Sequence, residues 1–182
     1  MKQYSELADS VVQDEDLLKK LRPTETSNVS KLLKIRAASE AELGDGQPVT
    51  NPAMFALVRA GLIYACDALE ESHVIVQATD GDESAYWHGM IHRREGDFEN
   101  ARYWFRRAGI LPFFGELHHV ASAVSSVVAA QSDWDPYLFT GLCERNKYGE
   151  TETTGELQKL QRMEFEVVFD YVWRRSFATP SK

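Results

Sequence analysis

The residue types best able to do chemistry in this chain are histidines at helical spacing. His88 and His92 stand four apart, so on an α-helix they share one face. His73 continues the apolar stripe Leu62, Cys66, Leu69 and Val76, which predicts an inward-pointing ring. Glu70-x-x-His73 recurs as Glu116-x-x-His119. Paired Glu-x-x-His segments on separate helices are a two-metal carboxylate pattern. His-x-x-x-His with a third imidazole instead suits a single zinc, nickel or iron ion. His73, His88, His92 and His119 with Glu70 are therefore a candidate set for a divalent transition metal, or for general acid/base work without one. The competing expectation is a neutral, hydrogen-bonded core network with Ser72, Tyr86 or Glu95, because buried imidazoles need partners. His118 is expected at the surface.

Arginine is the second signal. Arg93, Arg94, Arg102, Arg106 and Arg107 crowd one short stretch of a chain whose net charge is −8. One expectation is pairing of Arg93 and Arg94 with Glu95, Asp97 or Glu99. The other is a groove in which Tyr86, Met90, Arg93, Arg94 and Glu95 hold a small anionic ligand, a peptide carboxylate or a phosphate, with guanidinium groups binding bidentately. The sequence has no Gly-rich phosphate loop, nucleophile elbow, Cys-x-x-Cys or dinucleotide fingerprint. Ser72 and His73 are sequence neighbours about 100° apart on a helix, so they do not form a nucleophile–base pair.

Helical periodicity runs throughout, with no convincing alternating strand. Helices are expected over about 4–21, 28–43, 53–77, 84–95, 99–108, 114–130 and 136–145, with a last one of about 20 residues after a polar loop at 147–154. Gly44-Asp45-Gly46-Gln47-Pro48 reads as a flexible joint, and Asn51-Pro52 and Asp135-Pro136 as helix starts. Seven or eight helices packed as antiparallel hairpins give an all-α domain over 1–182, with 1–46 as an N-terminal helical arm and 51–178 as the main core.

From about Ala85 to Pro112 the chain resembles a single tetratricopeptide repeat. Gly89 matches the glycine midway along the first helix of such a repeat, Gly96 the turn glycine, and Phe98 the aromatic after it. Ala101, Phe105 and Ala108 match the small-aromatic-small stripe of the second helix. No second copy follows at the roughly 34-residue period of an array. His88 and His92 occupy positions where the repeat places a leucine and an aromatic, both facing the second helix. The wider chain also looks like a group of bacterial and fungal proteins with a Tyr-Trp-His…His-Arg-Arg-Glu core, a resemblance that implies no activity.

The acidic balance argues against nucleic acid or an anionic membrane as partner. No apolar run approaches the roughly 20 residues of a membrane span. Cys66 and Cys143 are expected as buried free thiols in a reducing, cytoplasmic compartment. Two functions follow. One is a helical scaffold with an inter-helix histidine site, metal or acid/base, for a small anionic ligand. The other is a non-catalytic protein- or peptide-binding module, with homo-oligomerisation compatible with either.

Overall fold

A computed structural model describes residues 4–148 and 153–177. The architecture is all-α: eleven helices and one isolated antiparallel bridge, Val49 to Phe177, among the described residues. Seven or eight helices were expected, and three of the expected stretches are broken. The stretch 28–43 divides into α2 (Val29–Ala37) and α3 (Glu40–Leu43), where Ala38 turns extended and Ser39 starts again with a capping box to Glu42. The stretch 53–77 divides into α4 (Pro52–Ala65) and α5 (Leu69–Gln77) at Asp67, whose φ is +62°. The stretch 114–130 divides into α8 (Phe114–Ser122) and α9 (Ser126–Ala129), with Ser125 capping the second. The first helix, α1, is also shorter than expected and covers only Glu6–Val12.

The remaining elements follow the reading closely. Asp135-Pro136 opens α10 (Pro136–Arg145), the Asp135 carboxylate accepting from the Tyr137 and Leu138 amides. The last helix, α11, runs Thr154–Ser176. Residues 149–152 of the expected polar loop lie outside the described residues.

Residues 4–46 do not stand off as an arm. Tyr4 packs edge-on against Phe169 and Trp173 of α11, and Leu18, Ile35 and Leu43 are buried in the same continuous core. The expected joint at Gly44 is packed too: a Cβ there would lie 2.8 Å from the Phe177 ring. Among the described residues no helix is long and apolar enough to cross a membrane.

At the centre lies α6 (Asp82–Glu95), which carries the candidate chemistry. Every residue from Ser84 to Arg94 is buried, so this helix is enclosed on all sides. Enclosure normally demands an all-apolar helix, yet α6 contains two histidines and two arginines. On one side it meets α4, where Gly61 admits the Trp87 ring; a Cβ at Gly61 would lie 2.9 Å from it. On another it meets α7 (Phe98–Ala108), reached through Gly96 at φ +85°. Phe105 of α7 lies flat on Gly89, where an added Cβ would fall 2.4 Å from the ring. Ala101 and Ala108 are buried along the same seam.

Candidate functional site

Three histidines from two helices meet in the gap between α5 and α6. The His73 ring lies 4.9 Å from His88 and 5.0 Å from His92, centroid to centroid, and contacts both edge to face. His88 and His92 lie 6.1 Å apart with nearly parallel rings, as their one-turn spacing requires. Trp104 of α7 closes the other side, stacked on His88 at 3.9 Å and 9°.

The three rings differ in how their nitrogens are used. His92 is fully engaged. Its Nδ1 is 2.8 Å from the Glu95 carboxylate and its Nε2 is 3.2 Å from the Asn100 amide nitrogen. This pattern fits a ring with its proton on Nδ1, donating to Glu95, and a lone pair on Nε2 accepting from Asn100. The bond from His92 holds the Glu95 carboxyl below the usual carboxylate range. His88 is the opposite case: only 3% exposed, with neither ring nitrogen in a well-formed hydrogen bond to a side chain. Burial, and then the neighbouring His73 and His92 rings, push its pKa down to about 4, and the Ser84 carbonyl one turn back offsets this only in part. His88 is therefore a neutral imidazole at neutral pH. His73 is half-buried and is the outermost of the three.

The other expected members stay away from this gap. Glu70 is exposed on α5. His119 is exposed on α8, and its partner Glu116 faces Arg174 on the surface. His118, expected outside, is half-buried against the Val128 carbonyl at 3.3 Å. The second Glu-x-x-His segment thus belongs to a different surface, and a two-metal site from paired segments is not formed. Among the described residues no three His, Cys, Asp or Glu side chains are arranged to hold a metal ion. His92 shows why: both of its nitrogens already serve protein partners.

The expected anion groove is absent for a simpler reason. Tyr86, Met90, Arg93 and Arg94 are all buried. Arg93 pairs with Glu164 of α11, which is also fully buried, through both guanidinium Nη atoms. Burial opposes a charge on Arg93, but the Glu164 carboxylate outweighs it and keeps the guanidinium protonated. The Tyr86 hydroxyl donates to Glu164 at 2.8 Å and accepts from Trp134 Nε1 at 2.8 Å. Phe139 lies under the Arg93 guanidinium at 4.3 Å. Arg94 pairs with Asp67 and donates to the Tyr64 and Lys20 carbonyls. Pairing was one of the two sequence expectations, but the partners are distant in sequence rather than Glu95, Asp97 or Glu99.

Sequence reasoning missed Glu164, Asp67, Asn100 and Trp104. Glu164 left a usable signal, because it interrupts the inward stripe Leu157, Leu160, Gln161, Phe165 and Val168 of α11. Asp67 left none. Its position at a helix break is set by the Arg94 guanidinium from another element.

Glu95 links the histidine cluster to solvent. It also lines a cleft of about 610 Å³, together with Glu25, Glu70, Glu71 and Arg36. The three imidazoles are not among that cleft's lining side chains. Comparison with known proteins finds no matching family model, curated protein or solved structure.

Proposed function

We propose that this chain is a helical scaffold whose chemical centre is the His73–His88–His92 cluster, acting as an acid/base site that exchanges protons through Glu95 with a cationic ligand in the adjoining cleft. The observation that carries this reading is His88, a buried imidazole with only the Ser84 carbonyl one turn back to offset its burial, which touches a second imidazole in contact with a third. Buried polar atoms left without good partners are rare and costly, and a catalytic role is one reason a protein keeps them. A proton is the ligand such packed rings can accept without a cavity. His92 is bonded to a carboxylate that also lines the cleft, so its proton can pass to Glu95, and the cluster's other rings reach that pair by ring contact alone.

A cationic ligand replaces the anionic one because Arg93 and Arg94 are buried in ion pairs, while the cleft presents Glu25, Glu70, Glu71 and Glu95 against Arg36. In this reading the α6–α7 hairpin is a tetratricopeptide-like unit whose groove face is filled by the protein's own helices. The two buried free thiols, each pushed by burial to a pKa of about 11, fit a reducing, cytoplasmic setting. A protein-binding role instead would use the outer side of α7 and the turn after it. Tyr103 and Ile110 are 47% and 86% exposed there, beside exposed Arg106 and Arg107.

The test is side-chain NMR of the imidazoles between pH 8 and 4, alone and with spermidine as cationic probe. The expected result is a coupled titration in which one ring stays neutral to low pH, with His92 resonances shifted by spermidine. Three independent titrations near the ordinary value of about 6.5, unmoved by spermidine, would overturn the reading.

A further inference from the structure

α5 joins α4 to α6 and carries His73 into the gap between them. It is only nine residues long, has no side-chain N-cap, and buries just Leu69, Ser72 and Val76 fully. Both corners that bracket it carry positive φ, Asp67 at +62° and Gly81 at +121°. Asp67 is anchored by Arg94, which fixes the corner, and the helix beyond it packs on α4 and α6 through Leu69, Ser72, Ile75 and Val76. Ser72 donates to the Ala60 carbonyl at 2.9 Å, and Ser84 of α6 donates to the Val76 carbonyl at 2.8 Å. Arg36 and Glu71 form a solvent-exposed pair. Beside the apolar packing, the His73 ring is wedged edge-on against His88 and His92 of α6.

We propose that the histidine cluster is a proton-operated clamp, which holds α5 against α6 and α7 while its imidazoles are neutral and releases α5 when they become charged. The clamp rests on the acid/base reading of the same cluster. Charged imidazoles at contact distance repel one another, and the burial of His88 and His92 weakens solvent screening between them. The groups that face the cluster divide unequally. From α5 come His73 itself and, near the cleft, Glu70 and Glu71. From α6 come His88, His92, the Ser84 carbonyl and Glu95, the one carboxylate bonded to a ring. From α7 come Asn100, which donates to His92, and Trp104, over whose ring the Arg107 guanidinium lies at 5.4 Å. One carboxylate can balance one imidazolium, so a second proton is uncompensated. Release would also open the cleft beyond Glu95, because Leu69, Glu70 and Glu71 of α5 form part of its wall.

The experiment is hydrogen exchange, read as protection factors corrected for intrinsic rates at pH 7 and pH 4, with imidazole NMR on the same samples. Protection across 69–77 should fall at least tenfold at pH 4 while that of 154–176 is retained. His73→Leu, which keeps an apolar wedge at a half-buried site, should leave α5 protected at both pH values, and His88→Phe should do the same. Equal loss across all helices would overturn the clamp. So would unchanged acid sensitivity in both variants. Glu71→Gln removes the exposed pair at any pH, and loss of α5 protection at pH 7 in that variant would assign the effect to the pair and overturn the proposal. Proton uptake by the rings with α5 still protected defeats the clamp and leaves the acid/base site standing. No uptake defeats both.

Discussion

Two sides of one helix solve the same problem in opposite ways. Arg93 and Arg94 carry charges that cannot be given up, so each has recruited a buried carboxylate from a distant element, Glu164 and Asp67. His88 and His92 sit within two turns in the same enclosed helix, yet only His92 has found a carboxylate. His88 has none, because an imidazole can become neutral and so avoid the larger penalty of an unpaired charge. A permanent charge must be matched where it is buried. A titratable group need not be, and what remains unmatched is sensitive to pH.

The comparison breaks most readily on the arginine side. Glu164→Leu should leave Arg93 buried without a partner and cost about 3–5 kcal/mol of unfolding free energy by urea denaturation. Adding Arg93→Leu should recover much of that loss, since the isolated charge is what hurts. If the double variant is no better than the single one, packing rather than charge pairing governs this region.

Next in size is the pH response of the histidine side. His88 takes up its proton near pH 6.5 in the unfolded chain but only near 4 in the folded protein. Between those values the unfolded chain binds more protons, so acidification through this window should remove about 3 kcal/mol of stability. His88→Phe, able to stack on Trp104, should lack that share when stability is compared at pH 7 and pH 4. Parallel stability–pH curves for the two proteins would mean that His88 is not the sensor.

Gly89→Ala tests the seam that places both sides. A methyl there meets the Phe105 ring, itself buried, and should cost about 1–3 kcal/mol by thermal or chemical unfolding. A neutral result would mean that α7 can shift, and the stacking of Trp104 on His88 would shift with it.

The smallest effect sharpens the contrast within the histidines. Asn100→Ala removes one hydrogen bond from His92 Nε2 and should cost about 1 kcal/mol. It should also move the His92 NMR resonances while leaving those of the Arg93 side chain unchanged.

Much of the fold was legible because its signals are local. Asn51-Pro52, Asp135-Pro136, Gly96 and Gly109 mark helix ends through backbone preferences that neighbours do not alter. The three missed breaks are of two kinds. Ser39 and Ser125 are caps that a periodicity search reads straight through, although their side chains accept from the Glu42 and Val128 amides. The break at Asp67 is tertiary, since Arg94 holds its carboxylate.

For the candidate site, helical period and the helix ends expected near 77 and 84 were enough to set His73 and His88 at equal distance from the turn between their helices, with His92 one turn further down. This follows from the chain alone, because rise and rotation per residue are fixed by backbone geometry. The helical class and the α6–α7 hairpin follow in the same way. Which helix packs on which face does not, because it depends on side chains far apart in sequence fitting together at one junction. The tertiary structure therefore decided that α6 is enclosed, that Arg93 and Arg94 meet Glu164 and Asp67 instead of solvent, that His119 lies elsewhere, and that His88 is left without a carboxylate partner.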